Sequence, residues 1–74
     1  MQYIRIKQLR EDNDYTQKYV SKELKMKQPQ YARYESGKRE FPIDTLVLLA
    51  KLYNTSLDYM IGLTNERKPY PRIK

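Results

Sequence analysis

Gln28, Gln30 and Arg33 carry side chains that can each make two parallel hydrogen bonds from one flat head group, and they fall within six residues of one another. The chemistry open to them is recognition: a glutamine amide matches the donor and acceptor of an adenine edge, and a guanidinium matches the two acceptors of guanine. Pro29 stands between the glutamines and offers an apolar surface of the kind that meets a thymine methyl group. Singly, Gln and Arg are ordinary on any solvated helix face, so the inference needs the charge around them.

That charge is concentrated. The 74 residues hold 15 Lys or Arg against 9 Asp or Glu, a formal net charge of +6. Residues 1–17 balance and residues 40–66 are net acidic. Between them lie Lys18, Lys22, Lys25, Lys27, Arg33, Lys38 and Arg39, opposed by Glu23 and Glu35 alone. A basic segment next to amide-rich residues is what a polyanion partner requires, because each neutralised phosphate releases counterions. A soluble basic surface with no partner is the competing reading.

Catalysis finds little support. The chain has no His and no Cys, which removes the commonest general base, the thiolate nucleophile and most transition-metal sites, and no cofactor is expected. Glu11, Asp12 and Asp14 form an acidic cluster better explained as a solvated helix end than as a magnesium site. No apolar run approaches the roughly 18 residues needed to span a bilayer, and the N-terminus lacks an apolar signal region, so a cytoplasmic location with no membrane partner is expected. A chain this short builds one core without disulfide help.

The elements that must position Gln28 to Arg33 are helical, since apolar residues recur at three- and four-residue spacing. The first helix is predicted over residues 3–12, with Ile6, Leu9 and Tyr3 inward. The second starts at the N-cap Thr16 and ends near Leu24, burying Val20 and Leu24. After a turn through Lys25, Met26 and Lys27, the third runs from Gln28 to Ser36, with Pro29 in its first turn and Gly37 stopping it. The fourth places Ile43, Leu46, Val47, Ala50 and Tyr53 on one stripe. The fifth opens at Thr55 or Ser56, where Thr55-Ser56-Leu57-Asp58 fits a capping box, and Gly62 ends it. Residues 64–74 are expected to be extended or disordered. Most of the eight tyrosines should fill core positions with their hydroxyls at the surface, and Tyr19 is the exposed one.

Two helices of about eight residues joined by a three- or four-residue turn can seat the second one in a major groove. If Tyr31 and Tyr34 turn inward, Gln28, Pro29, Gln30 and Arg33 remain outward.

On these residues the chain resembles the Cro and phage-repressor (XRE-type) helix-turn-helix family: Thr16-Gln17, Val20, Leu24, Tyr31, Glu35-Ser36-Gly37-Lys38-Arg39, Asp44-Thr45-Leu46, Leu49-Ala50-Lys51 and Ser56-Leu57-Asp58-Tyr59. The resemblance covers residues 4 to 63. It implies an all-α, compact, five-helix lambda-repressor-like domain over residues 1–63, with the helix-turn-helix formed by helices 2 and 3, and a basic tail over 64–74. It further implies a bacterial or phage transcriptional regulator, a repressor acting as a homodimer on a palindromic double-stranded DNA operator.

By the same resemblance Gln28, Gln30 and Arg33 read bases with Pro29 beside them, and Gln17, Lys18, Lys27, Lys38 and Arg39 contact phosphate. Arg10 and Glu35 pair to lock the recognition helix. Three residues depart from the pattern. Lys25 stands where glycine is usual, at the cost of a left-handed backbone, Lys27 replaces the usual Ser or Thr cap, and Pro29 is unusual at a base-reading position. An antitoxin or protein-interaction adaptor on the same fold, with a partner on helix 5 or the tail, is the alternative.

Overall fold

Five helices, and no strand among the described residues, make up the computed structural model, which describes residues 3–71. They are α1 (Ile4–Asp12), α2 (Gln17–Glu23), α3 (Gln28–Glu35), α4 (Ile43–Leu52) and α5 (Leu57–Met60). The all-α, five-helix arrangement expected from the spacing is therefore the one observed.

Helix ends explain why the chain turns where it does. Every helix is followed by one residue in the left-handed region: Asp14 (φ 57°), Lys25 (φ 57°), Gly37 (φ 83°), Asn54 (φ 51°) and Gly62 (φ 87°). After α1, the Asp14 N–H bonds the Glu11 carbonyl at 3.0 Å and the Tyr15 N–H bonds that of Arg10 at 3.0 Å. After α2, Lys25 bonds Lys22 at 3.0 Å and Met26 bonds Ser21 at 2.9 Å, and the same pairs recur after α4 and α5. These double bonds satisfy carbonyls that would otherwise be orphaned and reverse the chain within two residues. Lys25 pays for this geometry without the help that Asp or Asn side chains give.

α3 packs against α1 and α2, and α5 packs against α1 and α4. The core joins Ile6 and Leu9 of α1, Val20 and Leu24, Tyr31, Leu46, Leu49, Tyr53 and Met60, with Tyr3 and Phe41 closing one side. Phe41 is the hub of an aromatic group, its ring centroid 4.7 Å from Tyr3, 6.2 Å from Tyr31 and 5.2 Å from Tyr34. It anchors the segment that follows α3.

Three expectations need correction. The buried arc of α4 runs from Thr45 through Leu49, Leu46 and Ala50, and Ile43 and Val47 fall just past its edge, 62% and 36% exposed. The α5 cap is Ser56, whose hydroxyl accepts the Tyr59 N–H at 3.0 Å, so the capping box counted from Thr55 does not form. Thr55 instead donates its hydroxyl to the Arg67 carbonyl at 2.7 Å. Residues 64–71 contain no helix, and side-chain bonds tie them to the helices. The Arg5 guanidinium bonds the Thr64 carbonyl and, at 2.6 Å, the Asn65 side chain, while Tyr70 bonds Asp58 at 2.7 Å. The tail residues Arg72 and Lys74 lie outside the described residues.

The third correction concerns two of the eight tyrosine hydroxyls. Those of Tyr31 and Tyr53 are buried, not at the surface: Tyr31 donates to Glu35 at 2.6 Å, and the Tyr53 hydroxyl has no hydrogen-bond partner among the described residues. Tyr19 is exposed, as its position suggested, but Tyr70 is more so.

Candidate nucleic-acid interface

The site is built on α3, and what fixes α3 is a polar cluster on its inner face. Glu35 is 7% exposed, and its two oxygens receive a two-pronged bond from Arg10: Nε to Oε2 at 2.9 Å and Nη2 to Oε1 at 2.9 Å. Tyr31 and the Gln17 amide, at 3.2 Å, complete its hydrogen bonding, and Arg10 also donates to the Tyr15 carbonyl at 3.0 Å. Burial alone would push the Glu35 carboxyl up. The bonds from Arg10, Tyr31 and Gln17, together with the Arg10 charge, outweigh it and hold the group below its ordinary value. Burial, and then the bond to Glu35, push the Tyr31 hydroxyl far above its ordinary value. One cluster thus ties α1, the start of α2 and α3 together.

The outer face is the opposite in character. Lys27, Gln28, Pro29, Gln30 and Arg33 are all exposed. Lys27 occupies the N-cap position with no side-chain cap bond, and Pro29 sits in the first turn with no N–H to offer. The positive end of α3 is therefore open at the surface, where an anion or an acceptor can satisfy it. α2 differs: the Thr16 hydroxyl caps it by accepting the Tyr19 N–H at 3.0 Å.

Two shallow depressions share Arg33 as a wall. One is lined by Lys27, Pro29, Gln30, Arg33 and Arg39, and the other by Gln17, Ala32, Arg33, Ser36 and Lys38. The Arg39 N–H bonds the Arg33 carbonyl at 3.2 Å and so ties the following segment back to α3. Gln28 and Lys18 are exposed nearby and line neither depression. Lys18, Lys27, Arg33, Lys38 and Arg39 form no ion pair among the described residues. Their charge is uncommitted.

Sequence reasoning overlooked two contacts here. Gln17 is turned toward Glu35, which leaves its second amide N–H and its oxygen for anything outside. Tyr34, read only as core filling, accepts a hydrogen bond from the Gln30 amide at 3.4 Å, and the four-residue spacing of that pair on one helix was the available signal. No group of three or more Asp, Glu, His or Cys among the described residues could hold a metal ion, and none of their helices is long and apolar enough to cross a membrane.

Comparison with known proteins agrees with this geometry. A helix-turn-helix family model matches residues 6–60. The chain is 35% identical over 70 residues to the uncharacterized HTH-type transcriptional regulator YobD of Bacillus subtilis (strain 168), covering 95% of this chain and 61% of YobD. It is 38% identical over 58 residues to the HTH-type transcriptional regulator ImmR of the same organism, covering 78% of this chain and 46% of ImmR. A third relative, AnsR, is 29% identical over 68 residues, covering 92% and 59%. The chain thus spans about half to three fifths of the length of these relatives. No solved structure matches it.

Proposed function

The chain belongs to the XRE-type helix-turn-helix family, and on that premise we propose that it binds double-stranded DNA in a sequence-specific manner as a transcriptional regulator. The observation that carries the reading is the outer face of α3: an uncapped helix start bearing Gln28, Pro29, Gln30 and Arg33, flanked by exposed cations. In this reading Gln28, Gln30 and Arg33 discriminate bases, with Pro29 against a thymine methyl. Lys18, Lys27, Lys38 and Arg39 supply salt-dependent attraction to phosphates. Gln17 contributes the N–H of its amide that Glu35 does not use, beside the backbone N–H groups at the start of α2.

The finer proposal is a repressor that acts as a homodimer and seats two copies of α3 in successive major grooves, about 34 Å apart. Such symmetry matches a palindromic operator.

Selection from a random double-stranded DNA pool at near-physiological salt tests both levels. An enriched motif with two-fold symmetry is the expected result. An enriched but asymmetric motif would keep the DNA reading and remove the homodimer. A pool that stays random with folded protein would refute sequence-specific binding and favour a protein-interaction role, with antitoxin or adaptor partners docking on α5 or the tail.

A further inference from the structure

We infer that Tyr34 is a positioning residue for sequence readout, holding the amide of Gln30 in the orientation that meets an adenine edge. The inference rests on the DNA-reading role proposed for α3. Tyr34 is half-buried, and its ring lies against Phe41 with centroids 5.2 Å apart and planes tilted by 30°. Phe41 is itself 6% exposed and wedged against Tyr3 and Tyr31, so the Tyr34 ring is referenced to the core rather than to solvent. Its hydroxyl emerges one helical turn beyond Gln30 and accepts the Gln30 Nε2 hydrogen at 3.4 Å.

The chemistry of the amide gives this bond its meaning. A glutamine head group has two N–H donors and one carbonyl acceptor. Spending one donor on Tyr34 leaves one N–H and the oxygen, which is the full set that the N7 and N6 atoms of adenine require. The brace also removes rotational freedom before binding, so less is lost on the operator. Gln28 and Arg33 have no side-chain hydrogen bond among the described residues and must settle on contact with DNA. The structure therefore distinguishes Gln30 as the preorganised reader of the three.

The test uses the operator selected by the wild-type chain and its single-base-pair variants, with dissociation constants measured for wild type, Gln30→Ala, Tyr34→Phe and the double variant at two salt concentrations. Tyr34→Phe keeps the ring on Phe41, and its unfolding temperature checks that the fold is intact. The expected result is that Gln30→Ala erases preference at one base pair. Tyr34→Phe then lowers preference at that same base pair by about 2- to 10-fold, the worth of one hydrogen bond, with other positions and the salt slope unchanged. The double variant should match Gln30→Ala alone, because the two changes remove one shared interaction.

Full preference in Tyr34→Phe, or a loss spread evenly over all positions, would overturn the role of Tyr34 while leaving the DNA reading in place. No effect of Gln30→Ala on any base pair would overturn it as well. If the wild-type chain enriches no motif, the reading of α3 fails and the inference falls with it, an outcome distinct from the others.

Discussion

Replacing Arg10 with methionine should destabilise the domain by about 3 kcal/mol at neutral pH, nearly all of it because Glu35 is left charged and buried. Removing one partner of a buried pair generally costs roughly 3–5 kcal/mol. The lower end applies because the Arg10 side chain keeps 13% of its surface exposed while that of Glu35 keeps 3%. A domain of this size has about 4–10 kcal/mol of stability in all, so the variant should remain folded with a much lower urea midpoint. The pH dependence identifies the cause. In the wild type Glu35 lies below its ordinary value of 4.5, so its contribution is complete above that pH and disappears as the pH falls through the native value. Without Arg10, burial dominates and raises the Glu35 value in the native state, so the penalty is full at pH 7 and shrinks toward pH 4.5. The difference between wild type and variant should therefore narrow with acidification. Adding Glu35→Gln, which removes the charge but leaves an acceptor for Tyr31, should restore more than half of the loss. Urea unfolding between pH 4.5 and pH 7 measures all three. A loss below about 1 kcal/mol, or a deficit unchanged over that range, would refute the assignment of Glu35 as a charge held by Arg10.

Tyr31→Phe should cost about 1.5–3 kcal/mol, since a hydrogen bond to a buried carboxylate is lost, whereas Tyr53→Phe should be neutral or slightly stabilising because that buried hydroxyl has no partner among the described residues. Chemical denaturation of the pair side by side checks the contrast. Lys25→Gly should raise stability by about 0.5–1 kcal/mol, read as a higher unfolding midpoint, by relieving the left-handed backbone at φ 57°. Amide exchange at Gln28 and Gln30 should slow markedly only with operator DNA present, because no side chain caps α3 in the free protein, whereas the Tyr31 N–H already bonds the Lys27 carbonyl at 3.1 Å and should be slow in both states. Arg33→Ala should relax preference at one base pair by about 1–3 kcal/mol, whereas Lys38→Ala should weaken all sequences alike and reduce the salt slope by about one.

What could be read in advance was mainly local chemistry. The Thr16 cap, the stop at Gly37 and the left-handed Lys25 all depend on backbone groups within a few residues, so the helices fall where composition places them. Rotation of α4 was different: Ile43 and Val47 fit the same helical period as Leu46 and Ala50, and only packing decides which edge of the stripe meets the core. Two of the tyrosines, Tyr31 and Tyr53, depart from the general preference for hydroxyls at the surface, Tyr31 because Glu35 gives it a buried acceptor four residues away. Order in the tail depends on Arg5 bonding Asn65 across 60 residues of sequence, which no local pattern signals. At the candidate interface the exposed residues were legible as residue types, and the Gln30–Tyr34 spacing allowed a contact, but whether it and the Gln17 contact form depends on where half-buried side chains come to rest.

The division of α3 into two faces has a consequence for how such a domain can change. Tyr31 and Glu35 point inward and carry the bonds that fix the helix against α1 and α2, while Gln28, Pro29, Gln30 and Arg33 point outward and support nothing in the core. Substituting the outward residues should cost little stability, because exposed positions with no partner lose no burial and no internal bond. Base preference and folding are then nearly independent along one helix of eight residues. Tyr34 is the exception that links them: its ring belongs to the Phe41 cluster and its hydroxyl to Gln30. A change at Gln30 that ignores Tyr34 strands only a surface hydroxyl, but a change at Tyr34 that shrinks the ring disturbs packing and readout together. New specificities on this scaffold should accordingly arise first at Gln28 and Arg33, where no side-chain bond has to be broken.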